Sequence, residues 1–122
     1  MELNGQESNV VTIDLSRHGY LHVRWTPGAV VTATEATAMK SRAVEISSGR
    51  ALPMLVEMSN LEWVGRRARE IFAAPWPLAR MALVGASPVD EVIAIFYASQ
   101  HDHSCPTRFF TSVDEAVTWL TE

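Results

Sequence analysis

Pro53-Met54-Leu55-Val56-Glu57-Met58 is a short apolar run closed by a single charge. It is too short for a helix. A helix signal ending at Gly49 precedes it and a Ser59-Asn60 turn follows. That profile predicts an interior β-strand entered from a crossover connection. Alternation puts Met54, Val56 and Met58 on one face, with Leu55 and Glu57 on the other. A carboxylate on a central strand needs a partner or water, since an unpaired buried charge is very costly. By the same parity Arg24, Arg80 and Arg108 stand opposite Trp25, Met81 and Phe109. The expectation is a charge cluster of Glu57, Arg24, Arg80 and Arg108, with at least one arginine in ion-pair contact with the carboxylate.

On either side of this run the chain alternates strands and helices. Val11, Ile13 and Leu15, then Leu21, Val23 and Trp25, alternate with polar residues across Arg17-His18-Gly19, the pattern of a β-hairpin over 10–26. Thr32 with Glu35 is a capping box, and Ala36, Met39, Ala43 and Ile46 make the buried stripe of a helix that Gly49 ends. A second helix is predicted from about Gly65, with Val64, Ala68, Ile71 and Phe72 inward and Pro75 as its stop. Residues 80–85 read as a strand. Ser87-Pro88-Val89-Asp90 opens a helix to about Ser99. A last strand, 107–111, leads to a helix capped by Ser112 and Glu115 and docked by Val113, Ala116, Val117 and Leu120. The order ββαβαβαβα implies an α/β fold: a hairpin, then right-handed βα units on a mixed, mostly parallel sheet.

At 122 residues, with a frayed stretch over 1–8, the expectation is one domain. A net charge of −4 argues against nucleic acid as a partner. One cysteine, Cys105, rules out an internal disulfide and suits a cytoplasmic location. The acidic, polar start is no signal peptide, and the longest apolar run, Val92 to Ala98, falls well short of the roughly 20 residues of a membrane span.

With this order of elements the chain resembles the STAS-like (anti-sigma-factor-antagonist-like) domain family, in an uncharacterised bacterial branch. The stretches that carry the likeness are Arg24-Trp25-Thr26-Pro27-Gly28, Pro53 to Met58, Gly85-Ala86-Ser87-Pro88-Val89 and Cys105-Pro106-Thr107-Arg108-Phe109-Phe110-Thr111. None is a catalytic signature. The resemblance implies a regulatory, protein-binding role. STAS regulators carry a phosphorylatable serine in an Asp-Ser-Ser-Gly turn at the start of the helix after the central strand. Gly65-Arg66-Arg67-Ala68 stands there in this chain, without a hydroxyl.

Three groups of residues bear on function. Arg66, Arg67 and Arg69 fall in the first turn of the second helix, where backbone N–H groups favour anions. They read as an anion or acidic-partner site, or as solvated arginines paired with Glu62 and Glu70. His101-Asp102-His103-Ser104-Cys105 offers donors without the spacing of a tetrahedral metal site or a positioned base, so no metal, cofactor or catalytic residue is assigned. On the helix at 88–99, Val89, Val92, Ile93 and Phe96 face the sheet, leaving Glu91, Ala94, Ile95 and Ala98 as an apolar outer face. That face suggests a homodimer, or cover by the chain's own C-terminal helix or the 101–106 loop. The combined expectation is a non-enzymatic interaction module that self-associates. A small-molecule or lipid-binding domain is the alternative.

Overall fold

A computed structural model describes residues 11–58, 63–74, 78–86 and 105–122. The predicted hairpin is formed by β1 (Val11–Leu15) and β2 (Leu21–Trp25), antiparallel, with Gly19 at φ 88° in the left-handed region that its turn demands. β4 (Leu52–Glu57), β6 (Leu78–Val84) and β7 (Thr107–Phe110) join β2 in parallel. The five-stranded order is β1-β2-β4-β6-β7, so the apolar run at 53–58 occupies the middle. A second, two-stranded parallel sheet pairs β3 (Val30–Val31) with β5 (Trp63–Val64). Periodicity had no purchase on these two-residue strands.

Both faces of β4 are buried, and they belong to two different cores. Met54, Val56 and Met58 pack with Leu21, Val23, Trp25, Met81 and Leu83 beneath α1 (Ala33–Ser47) and α2 (Arg66–Ala73). Leu55 packs with Tyr20, Ala82, Val84 and Phe110 beneath α3 (Val113–Leu120), which contributes Ala116 and Leu120. Val117 packs at the margin of that second core. Val113, expected to dock, is instead 37% exposed, because the first helical position points away from the sheet.

Pro53 is unusual inside a central strand, since it cannot donate to the ladder. The register answers this. Leu52 pairs with Leu78, and the next pair is Met54 with Met81, so Ala79 and Arg80 together stand opposite Pro53. The extra residue resets parity on β6. Leu78 and Met81, three apart, both reach the first core, and the strand begins two residues before the alternation at Arg80 suggested.

The helix ends follow local chemistry. Glu35 accepts from the Thr32 N–H at 3.0 Å and from the Thr32 hydroxyl, the carboxylate half of the expected box. Those bonds, the hydroxyl's foremost, hold Glu35 below its ordinary pKa of 4.5. In α1 the left-handed cap falls on Ser48 (φ 53°), one residue before the predicted Gly49, which is also left-handed at φ 80°. At the end of α2, Ala74 is extended (ψ 146°), as a residue before proline must be. No described helix has a basic residue in its last turn. In each case a cation from outside the helix supplies the donor. Arg50 Nε bonds Ser47 O at 2.9 Å on α1, Lys40 Nζ bonds Ile71 O at 2.9 Å and Ala74 O at 3.2 Å on α2, and Arg80 Nη1 bonds Trp119 O at 2.5 Å on α3.

Two outcomes follow from this architecture. Leu55→Ala should cost about 2–5 kcal/mol in urea unfolding, with α3 losing its seat, whereas Val44→Ala on the exposed side of α1 should stay within about 0.5 kcal/mol; a Leu55→Ala cost no larger than that of Val44→Ala would contradict the two-core reading. Because the Glu35 pKa is lowered on folding, its contribution is complete above the unfolded value and is lost as pH falls through the folded one. The difference between wild type and Glu35→Gln, about 0.5 kcal/mol at neutral pH as at the weak end of cap effects, should therefore shrink as pH falls below the ordinary 4.5 and close once pH passes the lowered folded value. A difference that persisted to lower pH would refute the assignment.

Candidate functional site

Alternation along β2 and β4 sends His22, Arg24 and Glu57 to the sheet face shared with Leu55, toward the β1 edge. Arg24 is the direct cross-strand partner of Glu57 by register, and His22 is the diagonal one. The diagonal contact is the one made. His22 Nε2 lies 2.5 Å from Glu57 Oε2, with both side chains partly buried. With the carboxylate ionised, Glu57 accepts and Nε2 donates. The Tyr20 ring, a member of the second core, stands 6.2 Å from the imidazole.

The predicted cluster of Glu57, Arg24, Arg80 and Arg108 is therefore corrected: among the described residues the side-chain hydrogen-bond partner of Glu57 is His22. Arg24 leans the other way, to Asp14 on β1 at 3.9 Å, an exposed pair of little energetic weight. Arg80 lies against α3, its guanidinium 4.8 Å from the Trp119 ring centre while it donates to the Trp119 carbonyl. Arg108 stacks over Phe110 at 5.1 Å and Trp119 at 5.6 Å. Parity had put all three arginines on the right face. It could not say that α3 would bring an indole and an open carbonyl to two of them. His22 shares its parity with Arg24, so the missed partner was visible in the pattern, but only register selects it.

The second candidate lies at the carboxyl end of the parallel strands. β3 and β5 form there, and Gly65 N–H donates to Val31 O at 2.9 Å, fixing the entry to α2. Gly65 is the N-cap and offers no side-chain cap, as the sequence implied. Ala68 is buried, Arg69 is partly buried, and Arg66 and Arg67 project into solvent with side chains 85% and 80% exposed. Both reach the same carboxylate, Glu70, at 3.6 and 4.0 Å. Beside them stands an apolar pair that the sequence reading did not single out. Trp63, 59% exposed, is the register partner of Val30, 44% exposed, and a Cβ placed at Gly65 would come 3.6 Å from the indole nitrogen.

Cys105 is buried and its thiol is pushed up by desolvation, the opposite of a reactive thiolate. The other members of the 101–105 loop, and the face made by Glu91, Ala94, Ile95 and Ala98, lie outside the described residues. Among the described residues no group of three His, Cys, Asp or Glu is placed to hold a metal ion. No described helix is long and apolar enough to cross a membrane.

A double-mutant cycle separates the observed pair from the expected one. Glu57 and His22 should couple by about 1 kcal/mol in unfolding free energy, and Glu57 with Arg80 by less than about 0.5 kcal/mol. Stronger coupling to Arg80 would restore the arginine cluster.

Comparison with solved structures bears on the fold. The crystal structure of an uncharacterised protein of the DUF3478 family from Shewanella loihica PV-4, described as having a SpoIIAA-like fold, superposes with a TM-score of 0.69. The match covers 93% of this chain and 98% of that one at 17% identity. The chain thus has a SpoIIAA-like fold, which is the anti-sigma-factor-antagonist type that the sequence resembles. A protein of unknown function from Arthrobacter sp. FB24 is 38% identical over 89% of this chain and 97% of its own, with a TM-score of 0.35, too low to bear on the fold. No curated protein matches. Residues 14–122 match one family along nearly their whole extent, and the chain belongs to it: Domain of unknown function (DUF7793).

Proposed function

We propose that this protein is a non-enzymatic interaction module of regulatory type that self-associates and works without a phosphorylation switch at the start of α2. The observation that carries the reading is the surface at the carboxyl end of the sheet. Trp63 on the small sheet and Arg66 and Arg67 on the first turn of α2 stand out into solvent there, and the Gly65 N–H bond to Val31 O joins the sheet to the helix. Arginine and tryptophan are the residues most enriched among those that dominate protein interfaces. Neither core needs Trp63, since both close without it.

Residues 65–68 carry no hydroxyl, so a serine kinase has no acceptor in that turn. A surface of this kind is constitutively competent to bind. The buried Cys105, its thiol pushed up by desolvation, is the opposite of an activated nucleophile.

Trp63→Ala should leave unfolding free energy within about 0.5 kcal/mol of wild type while weakening self-association measured by light scattering across concentration. A wild-type protein monomeric at high micromolar concentration would remove self-association. Mass spectrometry after treatment with an anti-sigma-type kinase should find no phosphate in the 63–74 segment; phosphate on Ser59 that altered binding would overturn the switchless reading.

A further inference from the structure

The start of α3 carries the complement of the surface at the start of α2. Val113 is 37% exposed and is followed by Asp114 and Glu115, both exposed, on the first turn of the C-terminal helix. These two acids suit the positive end of their helix, and the backbone of Glu115 is already held by the Ser112 hydroxyl. Their side chains are therefore free for a contact outside the helix: among the described residues no ion pair engages either one. At the start of α2 the signs are reversed, with apolar Trp63 and Val30 followed by Arg66 and Arg67, which share the single carboxylate of Glu70. An exposed helical pair of that kind contributes a few tenths of a kcal/mol, so it does not hold the arginines back.

Topology sets the two surfaces in a usable relation. β4, β6 and β7 run parallel; α2 lies in the connection from the carboxyl end of β4 to the start of β6, and α3 follows the carboxyl end of β7. Both surfaces thus lie at the same end of the sheet. They lie on opposite faces, because α2 packs on the first core and α3 on the second. Two strand spacings, about 10 Å, separate β4 from β7 across the sheet.

We infer that the carboxyl end of the sheet is a self-complementary interface in which the Trp63–Arg66–Arg67 surface of one copy receives the Val113–Asp114–Glu115 turn of a second copy. This rests on the reading that the chain self-associates, and it names where. A two-fold axis beyond the sheet end makes the contact twice, each copy giving one basic and one acidic surface, as a closed isologous dimer requires. The apolar residues meet at the centre and the charges form the rim, the usual arrangement of a specific interface.

The test uses the full-length chain in sedimentation velocity over a concentration series. Arg66→Glu/Arg67→Glu makes both surfaces acidic, and Asp114→Lys/Glu115→Lys makes both basic. Each variant alone should show at least a tenfold rise in dimer Kd, with its circular dichroism unchanged. An equimolar mixture of the two should dimerise again, because every contact is then between opposite charges. Variants that dimerise like wild type, or a mixture that stays monomeric, would overturn the interface while leaving self-association intact. In that case Ile95→Glu tests the apolar face that the sequence pattern predicts for residues 88–99. A wild type that is itself monomeric would overturn the interface and the self-association reading together.

Discussion

β4 is buried on both sides, and the rest of the structure answers to that. A strand covered on one face tolerates alternating polar residues; one covered on both must be apolar throughout. Leu52 to Val56 obeys, and the strand admits its charge only at the last position, Glu57, where the sheet opens toward solvent. Even there the carboxylate is partly buried, and a histidine two residues back on the neighbouring strand meets it. Two cores, one under α1 and α2 and one under α3, meet across this strand and its neighbour β6, whose Met81 and Leu83 join the first and whose Ala82 and Val84 join the second. Pro53 is accommodated because β6 gives an extra residue opposite it, and that bulge aims Arg80 at α3.

The cations have a common use. Arg50, Lys40 and Arg80 each sit outside a helix and donate to the carbonyls of its last turn, where the helix itself supplies no basic residue. The Arg50 contact is local, but those of Lys40 and Arg80 cross between elements, so they tie helix α1 to α2 and strand β6 to α3 as well as satisfying backbone acceptors. Burial lowers the pKa of Lys40, which is the mark of an ammonium drawn out of water to reach two carbonyls. Arg80 and Arg108 converge on Trp119, and that indole gives them a use that an isolated carboxylate on the sheet could not compete with.

Most of the fold was legible in the sequence because its signals were long or chemically specific. The hairpin, the parity of β4 and β6, the Thr32–Glu35 cap and the Gly65 start of α2 all follow from residues within one element. What escaped depends on pairs of elements. β3 and β5 are two residues each and exist only because they pair with one another. Leu78 was hidden by a bulge that a single strand's alternation cannot reveal. The partner of Glu57 was put among arginines because charge was weighed and register was unknown; His22, on the same face, reaches it diagonally. Trp63 was not singled out because composition cannot tell a core tryptophan from an exposed one.

The same division sets the functional account. The frame around β4 is buried, and exposed Trp63, Val30, Arg66 and Arg67 stand at the carboxyl end of the sheet, the surface proposed to bind a partner. Native-state hydrogen exchange tests that division directly. The account predicts that the amides of Met54, Leu55 and Val56 exchange only through global unfolding, while the uncapped first-turn amides of Arg66 and Arg67 exchange through local opening at far lower free energy. Exchange of the β4 amides through a partial opening, with another strand outlasting them, would contradict it.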